Sequence, residues 1–354
     1  MDDPTISESP DFAKFYDSVE RDIAERDDVD WKAIEKRSLD FKKSVQDARL
    51  KSASSPSYFI MTINMNSPKS GVTEKRRRFV SILMRSFFSS IIFCQELPGY
   101  FETKVVAECG TSGYNYVKNG SHSAVIWRKE DFDGETEGLK TTDEWITKLR
   151  DRLGPDASEL LSRIAMVKLT SKTSDESVLA VSWHGPHTNS SKDNKMAAFK
   201  SLTSFVAEVI KEKGIPSYII GGDFNLNTLE AELPKDAAVS TYELSHLQNK
   251  KQEESGRYIS HKDNFIWFPK SKLIGRNVRP FLFEDEGTTT SDFSKDDQAK
   301  VEREMAEETD APARPTDMLD HDPIIGVIEF TSSTVVRSLL EDFERVAIAD
   351  AKQH

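Results

Sequence analysis

The sequence predicts an α/β layered fold. Three observations carry that prediction. Short apolar runs that end in polar residues alternate with stretches of helical periodicity. Two of those stretches, roughly Glu74–Ser89 and Lys195–Lys213, gather their apolar side chains on one face. The chain of 354 residues is 37% hydrophobic and 31% charged, an ordinary globular composition with length enough for a sizeable core.

The first 55 residues contain no glycine and read as one or two amphipathic helices. Phe12, Phe15, Val19 and Ile23 recur at spacings of three and four, followed less strictly by Trp31, Ile34, Leu39 and Phe41. SASSPS (52–57) then reads as a linker. Such an extension serves as a packing accessory or as an arm for a protein partner, which the sequence leaves unknown. From Tyr58 onward the strand candidates are YFIMTIN (58–64), SIIFCQE (90–96), AVIWR (124–128), VLAVSWH (178–184), SYIIGGDFN (217–225) and NFIWF (264–268). Phe79, Ile82, Leu83 and Phe87 form the buried face of the first central helix, and Phe199, Leu202, Phe205, Val206, Val209 and Ile210 that of the second. Gly214 follows as a helix stop. Residues 284–317, rich in acids, Thr, Ser and Pro, read as a long mobile insertion. LDHDPIIGVIEF (319–330) supplies a last strand, and residues 332–354 a C-terminal helix.

The net charge of −12 is not spread evenly. Residues 1–55 hold 14 acids and 10 bases, and residues 284–317 hold 12 acids and 4 bases. The remainder is neutral, so charge does not exclude a polyanionic substrate. Two cysteines exclude a disulfide scaffold and a multi-cysteine zinc module. Cys94 reads as a core residue and Cys109 as an exposed one. The opening MDDPTISESPDF has no basic and apolar leader, and no run reaches the length of a membrane span. The expectation is an intracellular protein of cytosol or nucleus without a membrane segment.

Five strands end at or beside residues that could bind metal or phosphate: Asn64, Glu96, His184, the Asp223/Asn225 pair, and Asp320/His321. In layered α/β proteins, strand ends converge where ligands bind. Carboxylates and amides suit a hard cation such as Mg²⁺, with Mn²⁺ as a substitute, and the histidines fit acid/base assistance to phosphoryl chemistry. His184 and His187 lack a third ligand at useful spacing, which argues against zinc. Asn225 two residues after Asp223 is also what a plain Asx turn would show.

The ordered set Asn64, Gln95-Glu96, Trp183-His184, Gly222-Asp223-Phe224-Asn225, Lys262-Asp263 and Leu319-Asp320-His321 resembles the endonuclease/exonuclease/phosphatase superfamily over residues 56–331. The resemblance implies a four-layer sandwich, two mixed sheets face to face with helices outside. It implies Glu96 as the main Mg²⁺ ligand with Asn64 and Asp320, and Asp223 as the group that orients or deprotonates the attacking water. It implies Asn225 as a donor to a phosphate oxygen and His321, held by Asp263, as a phosphate contact or base. His184 corresponds to the histidine that stabilises the phosphate or protonates the leaving oxygen. In the secreted deoxyribonucleases of this superfamily that histidine leans on a carboxylate just before the strand matching AVIWR. Here the segment reads KNGSHSAVIWR without an acid, leaving Tyr116, Lys118 or His122 as candidates in its place.

Asn66 is a candidate to share the role of Asn64 or a plain loop amide, and Trp267 to contact substrate or to be a buried or rim aromatic. Lys75-Arg76-Arg77-Arg78, Arg276 and Arg279 are candidate phosphate contacts, although a solvated helix face is the commoner use of a basic run. The expected activity is Mg²⁺-dependent phosphodiester hydrolysis, first as a nuclease. A phosphodiesterase or phosphatase of small molecules or lipid headgroups is the second reading, and a non-catalytic scaffold the third.

Overall fold

The computed structural model describes residues 12–24, 26, 28–51, 57–65, 74–111, 113–154, 157, 159–186, 191–226, 228, 231–240, 263–269, 273–277 and 323–330. The acidic stretch 284–317 and the expected helix at 332–354 lie outside the described residues.

Two six-stranded sheets face each other. The first comprises β1 (Ser57–Asn64), β2 (Ile91–Gln95), β3 (Tyr114–Asn119), β4 (Ser123–Arg128), β11 (Leu273–Asn277) and β12 (Ile324–Phe330), in the order β11-β12-β1-β2-β4-β3. The second comprises β5 (Phe132–Glu135), β6 (Ile164–Ser171), β7 (Ser177–His184), β8 (Tyr218–Asp223), β9 (Ala238–Val239) and β10 (Asp263–Phe268), in the order β5-β6-β7-β8-β10-β9. Each sheet has one parallel pair, β1–β2 and β7–β8, among otherwise antiparallel neighbours. Parallel strands need a crossover. The crossovers are helices, α3 (Glu74–Ser86) between β1 and β2, and α7 (Lys192–Lys213) between β7 and β8. This is the four-layer α/β sandwich, with mixed sheets, that the superfamily resemblance implied.

Strand alternation assigns each side chain to a layer. Tyr58, Ile60, Ile91, Phe93, Val125, Ala165, Val167, Ala180, Ile219 and Phe265 meet in the core between the sheets. Phe59, Met61, Ile63, Ile92, Cys94 and Ile126 face outward onto α3 and its neighbours. Leu179, Val181, Trp183 and Ile220 face outward onto α7. Helices α5 (Glu144–Arg152) and α6 (Leu160–Arg163) add Ile146, Leu149, Leu160 and Leu161 to that last core.

Helices α1 (Phe12–Ala24) and α2 (Trp31–Lys51) close the outer layer of the first sheet. Phe12 and Phe15 pack edge-on to Phe87, and Phe15 stacks on Phe41 at 4.2 Å between ring centroids. The basic run that opens α3 ties this layer together. Lys75 Nζ donates to the Arg26 carbonyl at 2.7 Å, Arg77 pairs with Glu108, and Arg78 lies over the Trp31 ring at 4.5 Å. Lys75, Arg77 and Arg78 therefore have intramolecular work, and the extension is a packing layer.

α3 stops at Ser86, short of the expected Ser89, because Phe88 takes a left-handed φ of 51°. α7 starts earlier than its apolar face suggests, at a cap where Ser191 Oγ accepts from Asn194 N at 3.2 Å. It ends as expected at Gly214, with φ 63°. Cys94 is buried as expected, whereas Cys109 is also buried, on α4 (Ala107–Thr111), which corrects the exposed reading. Among the described residues no helix is long and apolar enough to cross a membrane.

Candidate active site

The row of inward side chains along each central strand turns polar toward one end of the sandwich. On β1 it runs Tyr58, Ile60, Thr62, Asn64; on β7 it runs Val178, Ala180, Ser182, His184; on β8 it runs Ile219, Gly221, Asp223. Beneath the rim lies a fully buried polar tier. Gln95 Oε1 accepts from Thr62 Oγ1 at 3.2 Å, and Gln95 Nε2 donates across the sheets to Ser182 Oγ at 3.0 Å. Ser182 Oγ in turn donates to the Cys94 carbonyl at 2.9 Å. Buried polar groups must be satisfied, so this tier fixes the two sheets in one register.

Above it the described motif residues converge. Asn64, 2% exposed, donates its amide to Glu96 Oε1 at 3.4 Å and to Asp223 Oδ2 at 3.3 Å, one on each sheet. Asp223, 1% exposed, accepts Asn225 N on Oδ1 at 2.9 Å and Asn225 Nδ2 on Oδ2 at 3.2 Å. The Asx turn and the site are therefore one feature. Asn225 has φ 51°, a conformation asparagine adopts readily, and its amide also donates to the Gly185 carbonyl at 3.3 Å. Asp263 stands directly across from Asp223 in the β8–β10 register. His184 Nε2 lies 3.5 Å from Glu96 Oε1.

Glu96 has φ 49°, which costs a residue with a Cβ about 1–2 kcal/mol. Two backbone bonds hold it there: Glu96 N donates to the His122 carbonyl at 3.1 Å, and Leu97 N to the Ser121 carbonyl at 2.7 Å. The β3–β4 turn thus places the carboxylate. The same turn brings the His122 ring to 5.8 Å from His184, centroid to centroid. Burial pushes the His122 pKa below the ordinary imidazole value, and the Arg163 guanidinium pushes the same way against Glu96 and Glu159. A neutral ring at pH 7 can accept as well as donate.

The structure places three of the sequence-derived candidates away from this constellation. Tyr116 and Lys118 pair with Ile126 and Ala124, whose side chains belong to the outer face of the first sheet. There Tyr116 donates to Glu102 Oε1 at 3.2 Å and Lys118 Nζ pairs with Glu102 Oε2 at 2.9 Å. Of the three candidates for the missing carboxylate, His122 alone stands beside His184. Trp267 points between the sheets, but four residues down β10 from Asp263, in the apolar core. Asn66, Asp320 and His321 lie outside the described residues, as do Lys262, His187, Leu319 and Arg279. Arg276 falls on β11.

Arg163, which no local pattern marked, donates through Nη1 to the carbonyls of His184 at 3.4 Å and Gly185 at 3.2 Å. Its ion pair with Glu159, at 3.0 Å, follows an i,i+4 spacing that the sequence does display.

Among the described residues no group of three or more His, Cys, Asp or Glu side chains could hold a metal ion by itself. Mg²⁺ does not require one, since it keeps several waters and uses one or two carboxylates. The Glu96 and Asp223 carboxylates, which accept from the one Asn64 Nδ2, are hard oxygen donors of the kind such an ion takes.

No family model matches the chain, and no curated protein matches it. Solved structures do. Truncated TDP2 from Caenorhabditis elegans is 15% identical, with 78% of this chain and 98% of that chain covered and a TM-score of 0.47. The human Nocturnin catalytic domain with bound sulfate is 13% identical over 78% of this chain and 94% of its own, with a TM-score of 0.47. An endonuclease/exonuclease/phosphatase family protein from Bacteroides thetaiotaomicron is 17% identical over 78% and 98%, with a TM-score of 0.48. All three TM-scores lie below 0.5, and what the site can do follows from its own side chains.

Proposed function

We propose that this protein is a divalent-metal-dependent phosphoesterase that hydrolyses phosphodiester bonds, with nucleic acid as its substrate class. The observation that carries the reading is the Asn64 amide joining Glu96 of one sheet edge to Asp223 of the other. That contact brings together Asn64, Glu96 and Asp223, which are far apart in sequence.

Glu96 and Asn64 would hold Mg²⁺ or Mn²⁺, together with Asp320 where the resemblance carries. When bound, the ion supplies neutralisation and polarisation at the phosphoryl oxygens. Asp223, fixed by three donated hydrogen bonds, orients the attacking water and takes its proton as the bond to phosphorus forms. Asn225 sets the Asp223 carboxylate, and its side-chain amide, which here donates to Asp223 Oδ2 and the Gly185 carbonyl, would turn one N–H to a phosphate oxygen when substrate binds, a donor of the kind that lowers a charged transition state. His184 and His122 flank the departing side, where His184 would protonate the leaving oxygen and the neutral His122 ring would stand in the place of the missing carboxylate. Where the resemblance carries, His321, held in its tautomer by Asp263, would contact the scissile phosphate or serve as base. The neutral middle of the chain permits a polyanion to approach.

The test is hydrolysis of single- and double-stranded DNA, RNA and a generic phosphodiester by the purified protein with Mg²⁺ and with EDTA. Metal-dependent cleavage of a nucleic acid is expected. Cleavage of the generic ester alone would move the substrate to a small molecule or lipid headgroup. Inactivity on all of them would favour a binding scaffold.

A further inference from the structure

The β3–β4 turn, Asn119-Gly120-Ser121-His122-Ser123, carries the His122 ring and the carbonyls that accept from Glu96 N and Leu97 N, and it is anchored to the opposite sheet. The anchor is made by side chains. Asn119 Nδ2 donates to the carbonyls of Leu161 and of Ile164, the latter at 2.8 Å, at the α6–β6 junction. Its Oδ1 faces Thr141 Oγ1 at 3.5 Å, so the amide has a defined sense, donors toward the carbonyls and acceptor toward the hydroxyl. Ser123 Oγ donates to the Arg163 carbonyl at 2.5 Å. Arg163 then reaches the carbonyls of His184 and Gly185, and Gly185 is also the acceptor for Asn225. A continuous hydrogen-bonded path thus runs from the Glu96 backbone, through the turn, to His184 and Asn225.

We propose that Asn119 is a positioning residue of the metal site, clasping the turn that holds Glu96 onto the second sheet. The proposal rests on the phosphoesterase reading and goes beyond it by naming what sets the ligand's geometry. Asn119 touches no substrate and acts through Glu96. Aspartate at the same position would face two carbonyl oxygens with a carboxylate and lose both donors. Outer partners of metal ligands commonly change metal affinity by about 10–100-fold when removed.

The experiment measures Mn²⁺ binding by calorimetry and amide hydrogen exchange at Glu96 and Leu97, in the full chain, for wild type, Asn119→Asp and Asn119→Ala. Ser123→Ala is a milder break should the first two fail to fold, and Asn115→Ala, on an exposed position of the same strand, is the control. Supporting results are faster exchange at both amides and Mn²⁺ binding weakened about tenfold or more in a folded variant. The KM for a diester substrate should stay within about twofold while kcat falls, as for an interaction realised in the transition state. Unchanged exchange overturns the clasp. Altered exchange with unchanged Mn²⁺ affinity overturns the positioning role and leaves Asn119 purely structural. A wild type that binds no Mn²⁺ overturns the parent reading and the proposal with it, a result distinct from the other two.

Discussion

Asn225 and Glu96 both sit in the left-handed region, but for different physical reasons. Asn225 tolerates it through the turn bonds to Asp223, whereas Glu96 is forced there by the β3–β4 turn. Asn225→Gly keeps the backbone conformation and deletes the amide. It is expected to lower kcat by about a hundredfold or more, with a melting temperature near wild type. Asn225→Ala should lose the same activity and also destabilise the fold by about 1–2 kcal/mol, because alanine resists this φ; thermal melts and single-turnover kinetics separate the two. The buried thiols give a second residue-level expectation. Burial raises both pKa values, that of Cys109 to about 12, so neither should react with an alkylating reagent in the native protein at pH 8. Both folded values lie above the ordinary 9.0, so this contribution to stability is full below pH 9 and is lost as pH rises toward 12. Thiol labelling before and after denaturation, with melts across that range, checks both statements.

At the scale of elements, β7 and β8 must approach closely for His184 and Asp223 to face the same mouth, and glycines permit it. A Cβ on Gly222 would stand 2.0 Å from the Trp183 carbonyl oxygen, a backbone atom of the neighbouring strand. A Cβ on Gly221 would stand 2.4 Å from the Phe93 ring across the sandwich. Rings can tilt and backbone carbonyls in a sheet cannot, so Gly222→Ala should destabilise more than Gly221→Ala, the latter by about 1–3 kcal/mol. Denaturant melts of the pair test the order. The strand ends were legible because period-two alternation changes from apolar to polar at Asn64, His184 and Asp223. The misplacement of Tyr116 and Lys118 has the same origin: choosing a face on β3 needs the register with β4, and local pattern does not contain it. Trp267 shares the parity of Asp263 but not its depth, since four residues along a strand is about 13 Å.

Across the whole molecule, three cores stacked through four layers make the N-terminal helices part of the structure. Phe87 contacts Phe12, Phe15 and Phe41, so Phe87→Ala should cost about 3–5 kcal/mol. Removing residues 1–51 should expose the same aromatic surface and give an aggregating protein. Circular dichroism and gel filtration report both. The amphipathic spacing of these helices was readable, while the use of Lys75, Arg77 and Arg78 to hold them was not, because their partners Arg26, Glu108 and Trp31 are distant in sequence. The same limit hid Asn119, Arg163 and the cross-sheet bond of Gln95. Each acts by bonding to the other sheet or to a carbonyl well removed along the chain, and no motif records a carbonyl. Sequence order grouped Asn64, Glu96, His184, Asp223, Asn225 and Asp263 with residues outside the described ones, and these six all lie at one end of the sandwich.

The measurement to make first is the rate of phosphodiester hydrolysis as a function of Mg²⁺, for wild type and Asp223→Asn. Activity that rises with Mg²⁺, disappears in EDTA and falls by about a thousandfold or more in the variant is the expected result. Hydrolysis that persists in EDTA and in Asp223→Asn would contradict a metal-assisted site at the junction of the two sheets.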